Sequence, residues 1–450
     1  MTKQRHSITE ETWRPDRSLE TPEAAELEYE EYFRIEGGRR LSGAVTINGA
    51  KNAVLPMLAA SLLTAEPVTI EDLPDIDDVH ILLEVLRQLG AAVEWIGPRT
   101  VTVCAADIRS LTAPSELVRK MRGSFLVMGP LLSRFGEARS CPPGGDVIGQ
   151  RPIDVHLVGF TALGAKIRSE GDQYVAQASR LQGSEIFMDY PSHIGTENLL
   201  MAAVLAAGTT VIKNASCEPE VADLASLLNK MGARIFGAGS NTIIVDGVDE
   251  LGGARHRVIP DRIVAGTFAA AAAITGGDVL LENVEHNHLD SLIWKLKEAG
   301  AEVKRGEGIL HVRRQHPLQA VNVQALPYPG FATDLQSAVG VLLTQAHGQS
   351  TVHERVYDQR LTYFSELRKM GADVEVRGQT AVIRGPRKLV GTRVRALDIR
   401  SGAALILAGL VADGYTDVMD IYHLDRGYEG VDVKLRELGA RIERGCFKST

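Results

Sequence analysis

The feature that most constrains this sequence is one phrase that occurs six times. A leucine-bearing helix end runs into Gly-Ala or a close variant, and then into an alternating segment. The copies are LRQLGAAVEWIG, FTALGAKIRSEG, LNKMGARIFGAG, LKEAGAEVKRGEG, LRKMGADVEVRG and LRELGARIERG. Their glycines, Gly90, Gly164, Gly232, Gly300, Gly371 and Gly439, lie 74, 68, 68, 71 and 68 residues apart. A long, nearly constant period marks a repeated supersecondary unit. A glycine between a periodic helix and a strand reads as a left-handed cap, a conformation that strains a β-branched residue.

The copies also agree upstream. Ala/Leu-rich helices are predicted at residues 55–63, 198–206, 266–274, 335–344 and 401–411, each followed by a turn and a β-rich stretch such as TTVIKNA or GDVLLENV. Such a unit has two helices and three or four strands and cannot cover its own apolar helix, so several must pack around a shared axis. Six units predict two pseudo-symmetric domains of three, with a site between them. The copy before Gly164 breaks the pattern, because SCPPGGDVIGQRPID is too rich in Pro and Gly for a plain strand. A repeat that departs from its own rule is where function is expected.

Composition narrows the classes. At about 150 residues per domain, length alone suggests three domains; the repeat count makes it two. Lys and Arg number 49 against 57 Asp and Glu, a net charge of −8. That disfavours a nucleic-acid wrapper, which needs a surplus of cations. The longest apolar runs fall short of the ~20 residues that span a bilayer. Four scattered cysteines without a C-x-x-C pair disfavour disulfides and zinc, and predict a cytoplasmic protein. His286 and His288, two apart on a predicted strand, would face opposite sides, so no metal site is expected there. Residues 1–31 are acidic and lack an apolar stretch, which predicts a disordered tail rather than an export signal.

Several segments follow one another in a recognisable order: LSGAVTINGAKNAVLPMLAA, MRGSFLVMGPLLSRFG, PPGGDVIGQRPIDVH, TENLLMAAVLAAGTT, ATDLQSA, VYDQRL, LDIRSGAALILAG and IYHLDRGYEG. From Phe33 to Gly445 the chain resembles the enolpyruvyl transferases, on the branch that uses UDP-N-acetylglucosamine. The resemblance implies an α/β fold of two inside-out α/β domains, each of three βαβαββ repeats with helices inside and sheets outside. One domain would comprise residues 32–50 and 259–450. The other, residues 51–258, would carry a catalytic loop around 141–151. The implied reaction moves the enolpyruvyl group of phosphoenolpyruvate to the 3-hydroxyl of UDP-N-acetylglucosamine through a tetrahedral intermediate, releasing phosphate. It is the first committed step of peptidoglycan synthesis. No cofactor or metal is implied, nor a nucleic-acid or membrane partner. The expected state is a monomer or weak homo-oligomer.

Lys51 opens an apolar helix, where its charge opposes the helix dipole. That misfit predicts an anion held by the lysine and the free amides; the resemblance gives Lys51 to phosphoenolpyruvate and Asn52 to the sugar. Arginine forks suit phosphate and carboxylate. The resemblance assigns Arg122, Arg151 and Arg426 to phosphoenolpyruvate, with Asp398 shaping that site and Arg400 as a supporting or closure residue. Asp334, after Thr333, reads as an N-cap or first-turn acid; the resemblance makes it the base or orienter of the sugar hydroxyl. Arg360 is expected to pair with acids nearby. Pro152, Asp154, Val155, Ser192, Thr333 and Val356 are implied on the UDP-sugar side. His193, in a PSHIGTEN loop that departs from the family form, is either an added phosphate ligand or a surface histidine.

The main departure is Asp146, where the family usually has a cysteine that acts as general acid and is alkylated by fosfomycin. A carboxyl can donate the same proton in a dry site but is a weak soft nucleophile. Asp146 therefore predicts fosfomycin insensitivity. Two alternatives stand beside this reading. One is a paralogue acting on another acceptor, such as uridine monophosphate in nucleoside-antibiotic assembly. The other is a non-catalytic paralogue, disfavoured by the intact Lys51, Arg151, Asp334 and Arg426. Shikimate 3-phosphate is disfavoured by the GGD loop and the GQRPID strip.

Overall fold

The computed structural model describes residues 29–149 and 152–448. Its buried apolar residues form two separate cores. One gathers residues 33–47 and 263–442, and the other residues 50–258. Three helices sit at the centre of each core: Lys51–Ala60, Met128–Phe135 and His193–Ala203 in one, Arg262–Thr275, Thr333–Leu343 and Ile399–Val411 in the other. Every residue of Arg262–Thr275 is buried. Ala, Gly and Leu allow three helices to approach this closely. The amphipathic helices, such as Asp77–Leu89 and Pro219–Lys230, pack outside them.

Sheets form the outer layer. Among the described residues there are five four-stranded sheets and one three-stranded sheet. The four-stranded sheets each contain one parallel pair, for example Ser42–Thr46 beside Asp278–Glu282 and Ala254–Arg257 beside Val68–Glu71. The three-stranded sheet belongs to the unit that ends at Gly164, formed by Glu137–Ser140, Gln173–Gln177 and Lys166–Glu170. Its missing parallel strand survives as a single bridge, Thr112 to Arg139. The six repeat glycines all have positive φ, from 92° at Gly164 to 111° at Gly90, as their cap role requires. At Gly90 an added Cβ would also meet the backbone of Asp107.

The chain passes between the cores twice, and the two passages run side by side. The amide of Ala50 donates to the carbonyl of Ile259 at 2.8 Å, and that of Asp261 to the carbonyl of Asn48 at 2.9 Å. The carboxylate of Asp261 caps Arg262–Thr275 and also accepts from the Lys51 amide at 3.1 Å. One acid thus ties the first turn of a helix in one core to the start of a helix in the other.

Three expectations change. A strand, Tyr29–Glu36, begins inside the stretch read as tail, because it lies between Tyr415–Met419 and Arg441–Lys448 and pairs with both. The rest of that tail, residues 1–28, lies outside the described residues. His286 and His288 stand on a 3₁₀ turn, His286–Leu289, rather than a strand; the acceptor for this turn is Glu285, whose side chain takes the Asn287 amide. Among the described residues no cluster of His, Cys, Asp and Glu could hold a metal. The Lys51 amide is not free for an anion, since Asp261 already accepts from it.

Candidate active site

A cleft of about 450 Å³ opens between the two cores. Its wall from one core carries Lys51, Asn52, Asp78, Arg122, Asp146, Pro152, Val155, Ser192 and His193. The facing wall carries Arg262, Thr333, Asp334, Val356, Arg360, Arg400 and Arg426. Fourteen of the residues singled out from the sequence therefore meet in one place, although they lie up to 375 positions apart (Lys51 to Arg426).

At one end, cations from both cores converge on one acid. Lys51 Nζ lies 2.7 Å from Asp78 Oδ2, and Arg426 Nε lies 2.9 Å from Asp78 Oδ1. Asp78 is 1% exposed. Its place in the first turn of Asp77–Leu89 satisfies the helix dipole, so in the sequence it looks like an ordinary helix-start acid. Sequence reading missed it; only the fold brings Lys51 and Arg426 to it. Arg426 extends its other fork arm to Asp146, 2.6 Å from Nη1 to Oδ1.

Asp146 rides on a Pro/Gly loop that touches both cores. The Gly144 amide donates to the Val118 carbonyl at 3.1 Å, and the Gln359 amide to the Ile148 carbonyl at 3.3 Å. Gly149 has φ +124°, and a Cβ there would run into the Asp358 carboxylate. Arg122 opens a 3₁₀ segment and donates from Nη2 to the Pro152 carbonyl at 3.1 Å, closing the base of the same loop. Arg151 lies outside the described residues.

The other end is organised by Asp334. It occupies the first turn of Thr333–Leu343, one residue past Thr333, and the N-cap is Ala332. Arg360 Nη2 approaches its Oδ1 at 2.9 Å and Arg400 Nε its Oδ2 at 3.0 Å. Burial alone would raise the carboxyl pKa, but the two guanidiniums outweigh it and hold Asp334 well below the usual carboxylate range. Glu354, fully buried, takes the Thr333 hydroxyl at 2.8 Å and the Val356 amide at 2.7 Å, which fixes this corner of the wall.

Two of the singled-out residues are not brought to the cleft surface. Asp398 is the N-cap of Ile399–Val411, accepting from the Arg400 and Ser401 amides, with Ser401 completing a capping box. It acts on the site by fixing the backbone that carries Arg400. Asp154 is exposed at the start of Asp154–Ala162. His193 is not a surface histidine: it lines the cleft, with Nε2 3.0 Å from Oε1 of the buried Glu197. Glu197, Glu218 and Arg262 are further cleft residues that the sequence did not single out; TEN and EPE carry no local signal apart from charge.

The profile of the EPSP synthase (3-phosphoshikimate 1-carboxyvinyltransferase) family matches residues 35–435. The chain belongs to the enolpyruvyl transferase family. It is 50% identical over 414 residues to UDP-N-acetylglucosamine 1-carboxyvinyltransferase 1 of Caldanaerobacter subterraneus subsp. tengcongensis, covering 92% of this chain and 99% of that protein. It is 52% identical over 416 residues to UDP-N-acetylglucosamine 1-carboxyvinyltransferase 2 of Carboxydothermus hydrogenoformans, with the same coverage. Among solved structures, the enolpyruvyl transferase NikO from Streptomyces tendae superposes with a TM-score of 0.85 at 27% identity, covering 93% of this chain and all of that one. An EPSP synthase from Acinetobacter baumannii, 19% identical with a TM-score of 0.72 over 92% of this chain and 100% of that one, shares the fold. The enolpyruvyl transferase fold has two inside-out α/β halves of three units each, and the sixfold repeat is its imprint on the sequence.

Proposed function

We propose that this chain transfers the enolpyruvyl group of phosphoenolpyruvate to the 3-hydroxyl of UDP-N-acetylglucosamine, releasing phosphate, at the entry to peptidoglycan synthesis. The observation that carries this reading is the charge layout of the cleft, in a chain half identical to carboxyvinyltransferases of that name. Lys51, Arg122 and Arg426 gather at one end, and the ionised Asp334 stands at the other. A small trianion and a sugar hydroxyl need those two environments side by side.

The sugar oxygen adds to C2 of phosphoenolpyruvate while a proton is delivered to C3, giving a tetrahedral adduct. The C2–O bond to phosphate then breaks and C3 returns a proton, leaving the enolpyruvyl ether and inorganic phosphate. Asp146 is the proton donor. Its contact with Arg426 favours the ionised form, so donation requires that the substrate's anionic groups claim Arg426 first. Asp334 orients the sugar hydroxyl and takes up its proton as the oxygen bonds to C2, when the loss of electron density makes that proton acidic enough for a weakly basic carboxylate. Asn52, Pro152, Val155, Ser192, Thr333 and Val356 serve the acceptor side, and the family resemblance assigns Arg151 to phosphoenolpyruvate. The two cores act as domains that close on the acceptor, and the docked loop belongs to the closed form. With a carboxylate in place of a thiolate, fosfomycin finds no nucleophile to alkylate.

A second reading, with uridine monophosphate as acceptor, draws on the altered PSHIGTEN wall and on the NikO likeness. Phosphate release from phosphoenolpyruvate, measured with each acceptor, decides between them. Turnover with UDP-N-acetylglucosamine is expected; turnover with uridine monophosphate alone would sink the cell-wall reading.

A further inference from the structure

One wall of the cleft is acidic where an anionic acceptor must lie. Glu197 is 1% exposed and faces the cleft, and its Oε1 makes no hydrogen bond. Two more acids stand behind it, at the start of Pro219–Lys230. Glu220 is answered by Arg262, at 2.9 and 3.2 Å. Glu218 takes the Ser216 hydroxyl and shares the cleft wall. Glu197 has neither kind of partner. The cation beside it is His193, one helical turn earlier on His193–Ala203, 3.0 Å away in an ion contact that lacks the alignment of a hydrogen bond. Ser192 caps the same helix through the Gly195 amide at 3.1 Å, which fixes where the imidazole stands.

We propose that His193 is a specificity-determining residue that neutralises Glu197, so that the phosphates of the acceptor meet a neutral pair instead of a bare carboxylate. This rests on the reading that the acceptor is a uridine nucleotide bound along this wall. A buried carboxylate without a counter-charge repels a phosphate strongly at low local dielectric. Burial by itself would lower the imidazole pKa, but Glu197, with Glu218 and Glu220 behind it, overrides that and keeps the ring charged. Burial pushes the Glu197 carboxyl upward, so without the imidazole it ionises at a higher pH than an ordinary carboxyl.

The test is the pH profile of the acceptor KM, with UDP-N-acetylglucosamine as the probe because its diphosphate does not titrate in the working range. In the wild-type enzyme the acceptor KM stays flat from pH 6 to 9. In His193→Ala it climbs with rising pH, by about tenfold or more in all, as Glu197 ionises against the diphosphate. The KM for phosphoenolpyruvate does not follow it. The double variant His193→Ala/Glu197→Gln returns the profile to flat, which a merely structural role for His193 would not produce. A flat profile in His193→Ala, or a slope that survives Glu197→Gln, overturns the proposal. Wild-type protein that releases phosphate with neither UDP-N-acetylglucosamine nor uridine monophosphate overturns the functional reading, and this proposal with it.

Discussion

Asp146 Oδ1 lies 2.6 Å from Arg426 Nη1, so the proposed proton donor and a proposed substrate-binding cation are joined across the cleft. Asp78 holds the other arm of the same guanidinium at 2.9 Å. Arg426 is thus held by two of the protein's own carboxylates, and under the proposed function phosphoenolpyruvate competes with them.

Replacing Asp146 by Asn keeps the size and removes the proton. Turnover is expected to fall by about 10²–10⁴-fold, the usual worth of a positioned general acid. Calorimetric titration should still give wild-type acceptor affinity. A rate within twofold of wild type would remove Asp146 from the chemistry.

Asp146→Cys is expected to create fosfomycin sensitivity. The variant should lose activity progressively on incubation and gain the inhibitor's mass on one loop peptide, while the wild-type protein gains none. Covalent modification of the wild-type chain at Asp146 would contradict this.

Asp78→Ala strips the buried acid from between Lys51 and Arg426. Leaving two cations facing each other should cost about 3–5 kcal/mol of stability. Added phosphate should raise the Tm of this variant more than that of the wild type, because the anion replaces the missing carboxylate. Equal shifts would show that Asp78 does not occupy the anion site.

Asp334 sets a pH dependence with a definite sign. Its folded pKa is depressed by Arg360 and Arg400. Its contribution to stability is therefore present above the unfolded value of about 3.9 and lost as pH falls through the lower folded value. Urea unfolding should show the wild type's advantage over Asp334→Asn intact from pH 7 to about 5 and shrinking in stronger acid. An advantage that instead grew on acidification would reverse the assignment of charge.

Gly149→Ala forces a Cβ against Asp358 and a side chain into a left-hand φ of +124°. Strain of this kind is worth about 1–3 kcal/mol. It should appear as a drop of about tenfold in kcat through impaired loop docking, with Tm little changed, since the loop lies outside both cores. A Tm loss without a kinetic effect would place the strain in the fold instead.

The sequence by itself determined the repeat, its glycine caps and the central helices, because these follow from local rules: periodicity, φ sign and the need to bury an apolar face. It also marked Lys51, Asp146, Asp334 and Arg426, since each sits in a motif that breaks its local pattern or matches a family segment. Tertiary structure decided the rest. Asp78 and Arg262 look like ordinary helix charges along the chain, and only packing sets each against a partner far away in sequence; Glu197 looks equally ordinary until the fold buries it in the cleft wall. Asp398 matched a motif but serves as a helix cap, and His193 looked equally like a surface residue until a buried carboxylate was placed one turn below it. Local propensity is written in neighbouring residues, whereas the electrostatics of a cleft depend on which distant charges the fold brings within a few ångströms and how far it removes them from water.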